Sequence, residues 1–377
     1  MTDPDPPLQA PLALFLPTLD DGGAERVMLQ LAASFGARGH SVDLVLAVAG
    51  GPLESQVPAG VRVMNLSARR TASALPALTR YLRRERPRAL LSTLEHSNVI
   101  ALAAGHLSLM PTRVVLREAN VLLPRDQMHG LRPHLLRAFM LASYRSARAI
   151  VAVSKSVASS LVDGLGISSQ RVRTIYNPVV TPDLAVKAAA PLDDPWFAAG
   201  APPVVLGVGR LVPQKDFATL LSSFAEVRAQ RPARLVILGE GNERGALEAL
   251  AKRLGVQADV RLCGYDHNPF RYMSRSAVFV LSSIFEGLPG ALIQAMACGC
   301  RVISTDCPGG SREVLADGAS GPLVPMRDPK TLARGINTLL DEYDRRPTRL
   351  KHDVERFTER ASVDQYLDVL GVRTAVH

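Results

Sequence analysis

The sequence predicts an α/β protein built as two doubly wound Rossmann-like domains in series, with a ligand cleft between their parallel sheets. Three observations lead there. Short apolar runs alternate with helix-periodic segments in both halves of the chain. A length of 377 residues suits two domains better than one core. The alternation is interrupted once, at 181–203, by a stretch rich in Ala, Pro and Asp. Hydrophobic residues at 47% and charged residues at 21% exclude a disordered or collagenous chain.

Each element has its own signal. Leu12 to Leu16 reads as a strand stopped by Pro17, and the loop Thr18 to Gly23 leads into a helix whose Val27, Met28, Leu31 and Phe35 share a face. Gly36 and Gly39 are stop signals before a strand from Ser41 to Val48. Ala89 to Thr93 is a strand leading to a helix from about Asn98, and Arg113 to Leu116 is the next strand. Ala149 to Val153 follows, with Ser154 as N-cap of a further helix. The strand Val172 to Tyr176 ends at Asn177-Pro178, and 181–203, lacking periodicity, reads as a linker. The pattern restarts with strand Val204 to Val208, helix Ala218 to Gln230, strand Arg234 to Leu238 and helix Arg244 to Leu254. Strands Val260 to Cys263 and Ala277 to Leu281, helix Pro289 to Ala297 and strand Arg301 to Ser304 follow. The expected domains are 1–180 and 181–360, with a C-terminal helix in 361–377 packing back on the first.

No apolar run reaches the roughly 18 residues of a membrane span. Asp3 and Asp5, without a basic neighbour, do not make a secretory leader, so a cytoplasmic protein is expected. Cys263, Cys298, Cys300 and Cys307 have no metal-type spacing and read as small hydrophobes. The net charge of +9 points to an anionic partner: nucleic acid, a membrane surface or a phosphorylated ligand.

Two segments carry the chemistry. Gly207-Val208-Gly209-Arg210-Leu211 closes a strand, and Lys215 follows five residues after Arg210. Both cations then sit beyond a strand's carboxyl end, where a phosphate ligand lies. Glu286-Gly287-Leu288-Pro289-Gly290 follows an apolar strand, and Pro289 suits the first helical position. The free N–H groups of that helix start are expected to bind an anion. Gln294, roughly 7–8 Å further along the axis, would reach an attached ribose. One nucleoside diphosphate would touch all of them.

On these residues the chain resembles the retaining GT-B glycosyltransferases of family 4. Gly207 to Lys215 and Glu286 to Gly299 are similar to that family's donor-site signatures, and Gly22-Gly23-Ala24-Glu25-Arg26 to its N-terminal glycine loop. The order of elements agrees over nearly the whole chain, including Val151-Ala152-Val153-Ser154 and Asn177-Pro178. The resemblance implies a nucleotide-sugar donor, a UDP-sugar on family grounds, held by the C-terminal domain. It implies a glycan or lipid-linked acceptor, held by the N-terminal one. Donor contacts then fall to Gly22, Gly23, Gly209, Arg210, Lys215, Gly264, Glu286, Gly287, Leu288, Pro289 and Gln294. Catalytic roles fall to Arg210 and Lys215 on the leaving diphosphate, Glu286 on the donor sugar, and His96 on a sugar hydroxyl. Gln294 departs from the family pattern, which has a second Glu there, and a neutral amide bonds ribose hydroxyls more weakly. The family implies retention by a front-face route in which the leaving phosphate helps to deprotonate the acceptor. No metal or cofactor is expected; the sole Asp-x-Asp is Asp3-Pro4-Asp5. Glu95, Glu118 and Asn120, just beyond strands of the first domain, are acceptor-site candidates.

Residues 1–180 carry a net charge of +8 and residues 181–377 only +1. Within Arg125 to Arg148, Leu135, Leu136, Phe139, Met140 and Tyr144 interleave with Arg132, Arg137 and Arg145, as in an interfacial helix. This suggests peripheral association with an anionic membrane at its inner face. Three rivals stand beside the enzyme. A dinucleotide oxidoreductase would use Gly239-Glu240-Gly241, but Gly245 comes one position late for the fingerprint. A non-catalytic nucleotide-sugar-binding subunit is motivated by Gln294. Nucleic-acid binding lacks any recognised module.

Overall fold

The computed structural model describes residues 10–20, 22–122, 131–345 and 349–372. The chain divides into two compact units, Met1–Pro178 with Thr358–His377, and Val179–Phe357. Each is a parallel sheet flanked by helices.

The first unit has seven strands: β1 (Leu12–Leu16), β2 (Val42–Leu46), β3 (Arg62–Asn65), β4 (Ala89–Thr93), β5 (Arg113–Glu118), β6 (Ala149–Ala152) and β7 (Val172–Thr174). Their order is β3-β2-β1-β4-β5-β6-β7, all parallel. Its helices include α1 (Gly23–Ala37), α2 (Leu75–Glu85), α3 (Glu95–Ser108), α4 (Leu131–Ser143) and α5 (Lys155–Leu165). β1, β2 and β4 are buried along their whole length, which is why they are mostly apolar, broken only by Asp43 on β2 and Ser92-Thr93 at the end of β4. β3 is an exposed edge strand with no apolar pattern, and α2 is rich in Arg; neither is legible in the sequence. Both are tied to the sheet by the buried Asp43 on β2. Its carboxylate accepts from Arg62 at 2.8 and 2.6 Å and from the Tyr81 hydroxyl at 2.6 Å. α3 starts at Glu95, three residues earlier than expected, because Leu94 turns the chain sharply at φ 74°.

The second unit has β8 (Val204–Val208), β9 (Arg234–Leu238), β10 (Val260–Gly264), β11 (Val278–Leu281), β12 (Arg301–Thr305) and β13 (Leu323–Val324). Their order is β10-β9-β8-β11-β12-β13. The helices are α6 (Leu184–Ala189), α7 (Phe217–Arg228), α8 (Arg244–Arg253), α9 (Phe270–Met273), α10 (Gly290–Ala297), α11 (Ser311–Val314) and α12 (Pro329–Arg345). Phe217, Phe224, Ile237, Val280, Ile303 and Ile336 are among its core residues.

The stretch 181–203 is not a linker. It contains α6, and the guanidinium groups of Arg234 and Arg261 lie 4.6 and 3.9 Å from the centre of its Trp196 ring. Asp194 accepts from Arg261 at 3.0 Å, and Ser274 Oγ donates to the Ala188 carbonyl at 2.8 Å. The segment straps the second unit because one aromatic and a few polar anchors hold it, without any periodic pattern. The terminal helix α13 (Glu359–Val369) belongs to the first unit. Gln30 on α1 donates to Glu359 at 3.0 Å, Arg117 on β5 to the Tyr366 hydroxyl at 3.3 Å, and Ser362 to the Tyr176 carbonyl at 2.8 Å.

In both sheets the strand order reverses direction once, between β1 and β4 and between β8 and β11. The carboxyl ends of strands at such a reversal are where open α/β sheets bind ligands.

Candidate functional site

The loops beyond β8 and β11 meet at the second reversal. After β8 come Gly209 and Arg210, and a short turn carries Lys215. After β11 come Ser282 to Pro289, and then α10. The two loops are laced together: Ile284 N–H donates to the Gln214 carbonyl at 2.9 Å, Gln214 Nε2 to the Phe285 carbonyl at 2.9 Å, and Ser282 Oγ to the Lys215 carbonyl at 2.7 Å. Two predicted site residues bond directly, with Lys215 Nζ 2.5 Å from Glu286 Oε1. Ser283 Oγ donates to the same oxygen at 2.6 Å, and Thr305 Oγ1, at the end of β12, donates to the Ser283 carbonyl at 2.6 Å. Glu286 is buried, whereas Arg210 is exposed and its side chain has no hydrogen bond or ion pair among the described residues.

Backbone packing explains several glycines. A Cβ on Gly239 would lie 2.0 Å from the Gly209 carbonyl oxygen, and one on Gly241 2.2 Å from that of Leu211. Gly239-Glu240-Gly241 therefore lets the Arg210 loop lie against β9, a packing role that needs no dinucleotide. Gly264 stands behind it, its carbonyl accepting from Gly239 N–H at 2.7 Å. Pro289 is the residue before the first helical one, not the first, and among the described residues no side chain caps α10. The opening N–H groups of α10 beside Gly287 and Leu288 thus have the arrangement that suits an anion. Gln294, part-buried on α10, donates to the Val179 carbonyl at 3.4 Å, a bond a carboxylate could not make.

Three contributors carry no motif in the sequence. Ser283 and Thr305 buttress Glu286, and the loop after β12 closes on it: Glu286 N–H donates to the Pro308 carbonyl at 2.9 Å and Gly310 N–H to the Gly287 carbonyl at 3.0 Å. Gly309, at φ 127°, has room for no side chain, since its Cβ would sit 2.0 Å from the Glu286 carbonyl oxygen. The run Pro308-Gly309-Gly310 was the one available signal.

The first unit's reversal is arranged differently. Gly22 precedes α1, but the space before it is taken by the carboxylate of Glu25; a Cβ there would meet Oε2 at 2.1 Å. This acidic group in the first turn suits the helix dipole. Nothing lies within 4 Å of a Cβ on Gly23. Glu95 and His96 open α3, with His96 exposed and Glu95 part-buried. Desolvation holds the His96 pKa below and the Glu95 pKa above their ordinary values.

Glu118 does not face an acceptor. It is fully enclosed, accepting from the Tyr144 hydroxyl and from Asn98 Nδ2, and burial reinforced by the charge of Glu95 pushes its pKa up to about 8. Asn120 is exposed. Arg117 beside it is sealed in as well, donating to Thr93 Oγ1 at 2.8 Å and Asn177 Oδ1 at 2.6 Å. Of the interleaved basic segment, Leu135 and Phe139 are exposed, Met140 and Tyr144 are buried, and Arg137 donates to the Gly164 carbonyl at 2.9 Å. Arg125, the side chain of Arg132 and Asp3-Pro4-Asp5 lie outside the described residues. Cys298, Cys300 and Cys307 are buried, and burial pushes the first two thiols up to about 12. Among the described residues no three His, Cys, Asp or Glu side chains converge as a metal site would require, and no helix is long and apolar enough to cross a membrane.

The family described as Glycosyl transferases group 1 matches residues 192–357, and that described as Glycosyltransferase Family 4 matches residues 21–182. The chain belongs to the group 1 glycosyltransferases. Its two parallel-sheet units have the GT-B fold: the structure of Anabaena HepE in complex with UDP and glucose superposes with a TM-score of 0.79 over 96% of this chain and 99% of that one, at 16% identity. A Campylobacter jejuni enzyme, the N-acetylgalactosamine-N,N'-diacetylbacillosaminyl-diphospho-undecaprenol 4-alpha-N-acetylgalactosaminyltransferase, is 32% identical over 252 residues, 66% of each chain. The lipopolysaccharide core biosynthesis glycosyltransferase LpsE of Rhizobium meliloti is 32% identical over 236 residues, 61% of this chain and 66% of that one. The chain thus spans about two thirds or less of the length of the curated relatives it matches.

Proposed function

We propose that the protein is a retaining glycosyltransferase that moves a sugar from a UDP-sugar to a glycan or lipid-linked acceptor in cell-surface polysaccharide or glycolipid assembly. One observation carries this reading. An Arg210 without a partner among the described residues, a partly covered Lys215–Glu286 pair and the start of α10, which no described side chain caps, converge at the reversal of the second sheet. Relatives named for lipopolysaccharide and undecaprenol-linked sugar transfer, and a neighbour that holds UDP, support the substrate class.

In this reading Arg210 and Lys215 stabilise the charge that develops on the departing diphosphate as the glycosidic bond breaks. The α10 N–H groups bind the same anion. Glu286 Oε2, the oxygen that neither Lys215 nor Ser283 engages, accepts from a hydroxyl of the donor sugar. Gln294 bonds the ribose through its amide, and His96 bonds a second sugar hydroxyl. The leaving phosphate takes the acceptor's proton on the face it departs from, so configuration is retained. No metal takes part; loss of activity in EDTA would refute that point. The first unit takes the acceptor and meets an anionic inner leaflet through its Arg-rich surface, with Leu135 and Phe139 on α4 and Leu107 and Leu109 at the end of α3 exposed. Flotation with liposomes that is indifferent to anionic lipid would refute the membrane contact.

Screening nucleoside diphosphates by thermal shift tests the core of the proposal, since a ligand at 100 times its Kd adds ~2.7 kcal/mol. UDP is expected to stabilise, and transfer from a UDP-sugar to give a product of retained anomeric configuration by NMR. Stabilisation with neither transfer nor donor hydrolysis would favour a non-catalytic binding subunit.

A further inference from the structure

Lys215 and Glu286 serve different parts of the donor in the proposed reaction, yet they are bound to each other. Their contact of 2.5 Å is poorly hydrated, with side-chain exposures of 18% and 8%. Glu286 Oε1 accepts from both Lys215 and Ser283, while Oε2 has no hydrogen bond among the described residues. Arg210, on the same loop as Lys215, is exposed and has no partner among the described residues. A diphosphate entering this site therefore meets one free cation and one that is already neutralised.

We propose that Glu286 is the counter-ion that weakens the hold of Lys215 on a diphosphate, so that the site discriminates against the product nucleoside diphosphate relative to the intact donor. This rests on the donor-site reading above. In a partly dehydrated pocket, a carboxylate adjoining the phosphate-binding cation repels the phosphate with little screening. The donor offsets that repulsion, because its sugar hydroxyl bonds to Oε2. Once the sugar has been transferred, that bond is gone and the repulsion remains. The arrangement favours product departure without any movement of the chain.

Isothermal titration of UDP and of a UDP-sugar into the wild type and Glu286→Gln tests this. The variant should bind UDP about five- to tenfold more tightly, as expected when a charge-assisted contact recovers part of its strength. The UDP-sugar should gain less or lose affinity, and transfer should fall. Glu286→Ala should shift UDP affinity in the same direction, which guards against an effect peculiar to the amide. A role confined to holding the loop would weaken UDP binding in both variants. Equal or weaker UDP binding in folded Glu286→Gln and Glu286→Ala overturns the inference while leaving the donor site standing. A wild type that binds no nucleoside diphosphate overturns the donor site, and the inference with it.

Discussion

The two units share the order of their first six strands, the first unit adding a seventh at one edge, and place their strand reversals at equivalent points, but they differ in how they use charge nearby. In the first unit several charged groups near the reversal are sealed, although His96 at the start of α3 is exposed and Glu95 is part-buried. Arg117 and Glu118 are each 1% exposed, and Glu25 is folded over Gly22. In the second unit Arg210 stands in solvent, and the Lys215–Glu286 pair is only partly covered. The fold thus supplies a crevice in both units, and the loop residues decide whether its charges hold the chain together or remain available to a ligand. The contrast predicts that charge changes in the first unit act on stability, while those in the second act on binding.

The largest expected effect is that of Arg117→Ala. It strands Asn177, Tyr366 and Thr93 and leaves a cavity, so unfolding should cost the fold about 3–5 kcal/mol. Urea denaturation measures it; a change near zero would break the contrast. Arg210→Ala comes next and should behave in the opposite way. Stability without ligand stays as in the wild type, while the ~2.7 kcal/mol of stabilisation by UDP at 100 times the wild-type Kd is lost in thermal shift. Trp196→Leu should cost the second unit about 1–2 kcal/mol through its two guanidinium contacts, read as an earlier denaturation midpoint.

The smallest effect at neutral pH is that of Glu118→Gln, and it concerns slope. Glu118 faces Tyr144, Asn98, Glu95 and Arg117, and its folded-state pKa of about 8 lies above that of an ordinary carboxyl. The folded form therefore keeps a proton that the unfolded chain has already released, and stability falls as pH rises through that window, levelling off above about 8. Glu118→Gln should flatten this slope in unfolding experiments at pH 5, 7 and 9. An unchanged slope would mean that Glu118 is not the group responsible.

Much of the candidate site was legible because its residues are contiguous. Gly209, Arg210 and Lys215 share one loop, and Glu286 to Gln294 one loop and helix, so spacing alone brought them together. Ser283 and Thr305 were not legible, since isolated hydroxyl residues at strand ends have no pattern until the strands are paired. The strap 181–203 was misread for a related reason: Trp196 is anchored by Arg234 and Arg261, which lie distant in sequence. Glu118 looked like an acceptor group because strand ends face crevices, but α3 and α4 cover it with Asn98 and the stretch that ends at Tyr144.

The sequence by itself determined the alternation of strands and helices, the two parallel sheets and the contiguous loops of the candidate site. Those depend on local periodicity, turn residues and the burial of parallel strands on both faces. Only the tertiary structure decided which charges are spent. Pairing Lys215 with Glu286, folding Glu25 over Gly22 and enclosing Arg117 each depend on distances set by packing. The strength of a charge depends on those distances and on the water left around it, and neither is written in residue order.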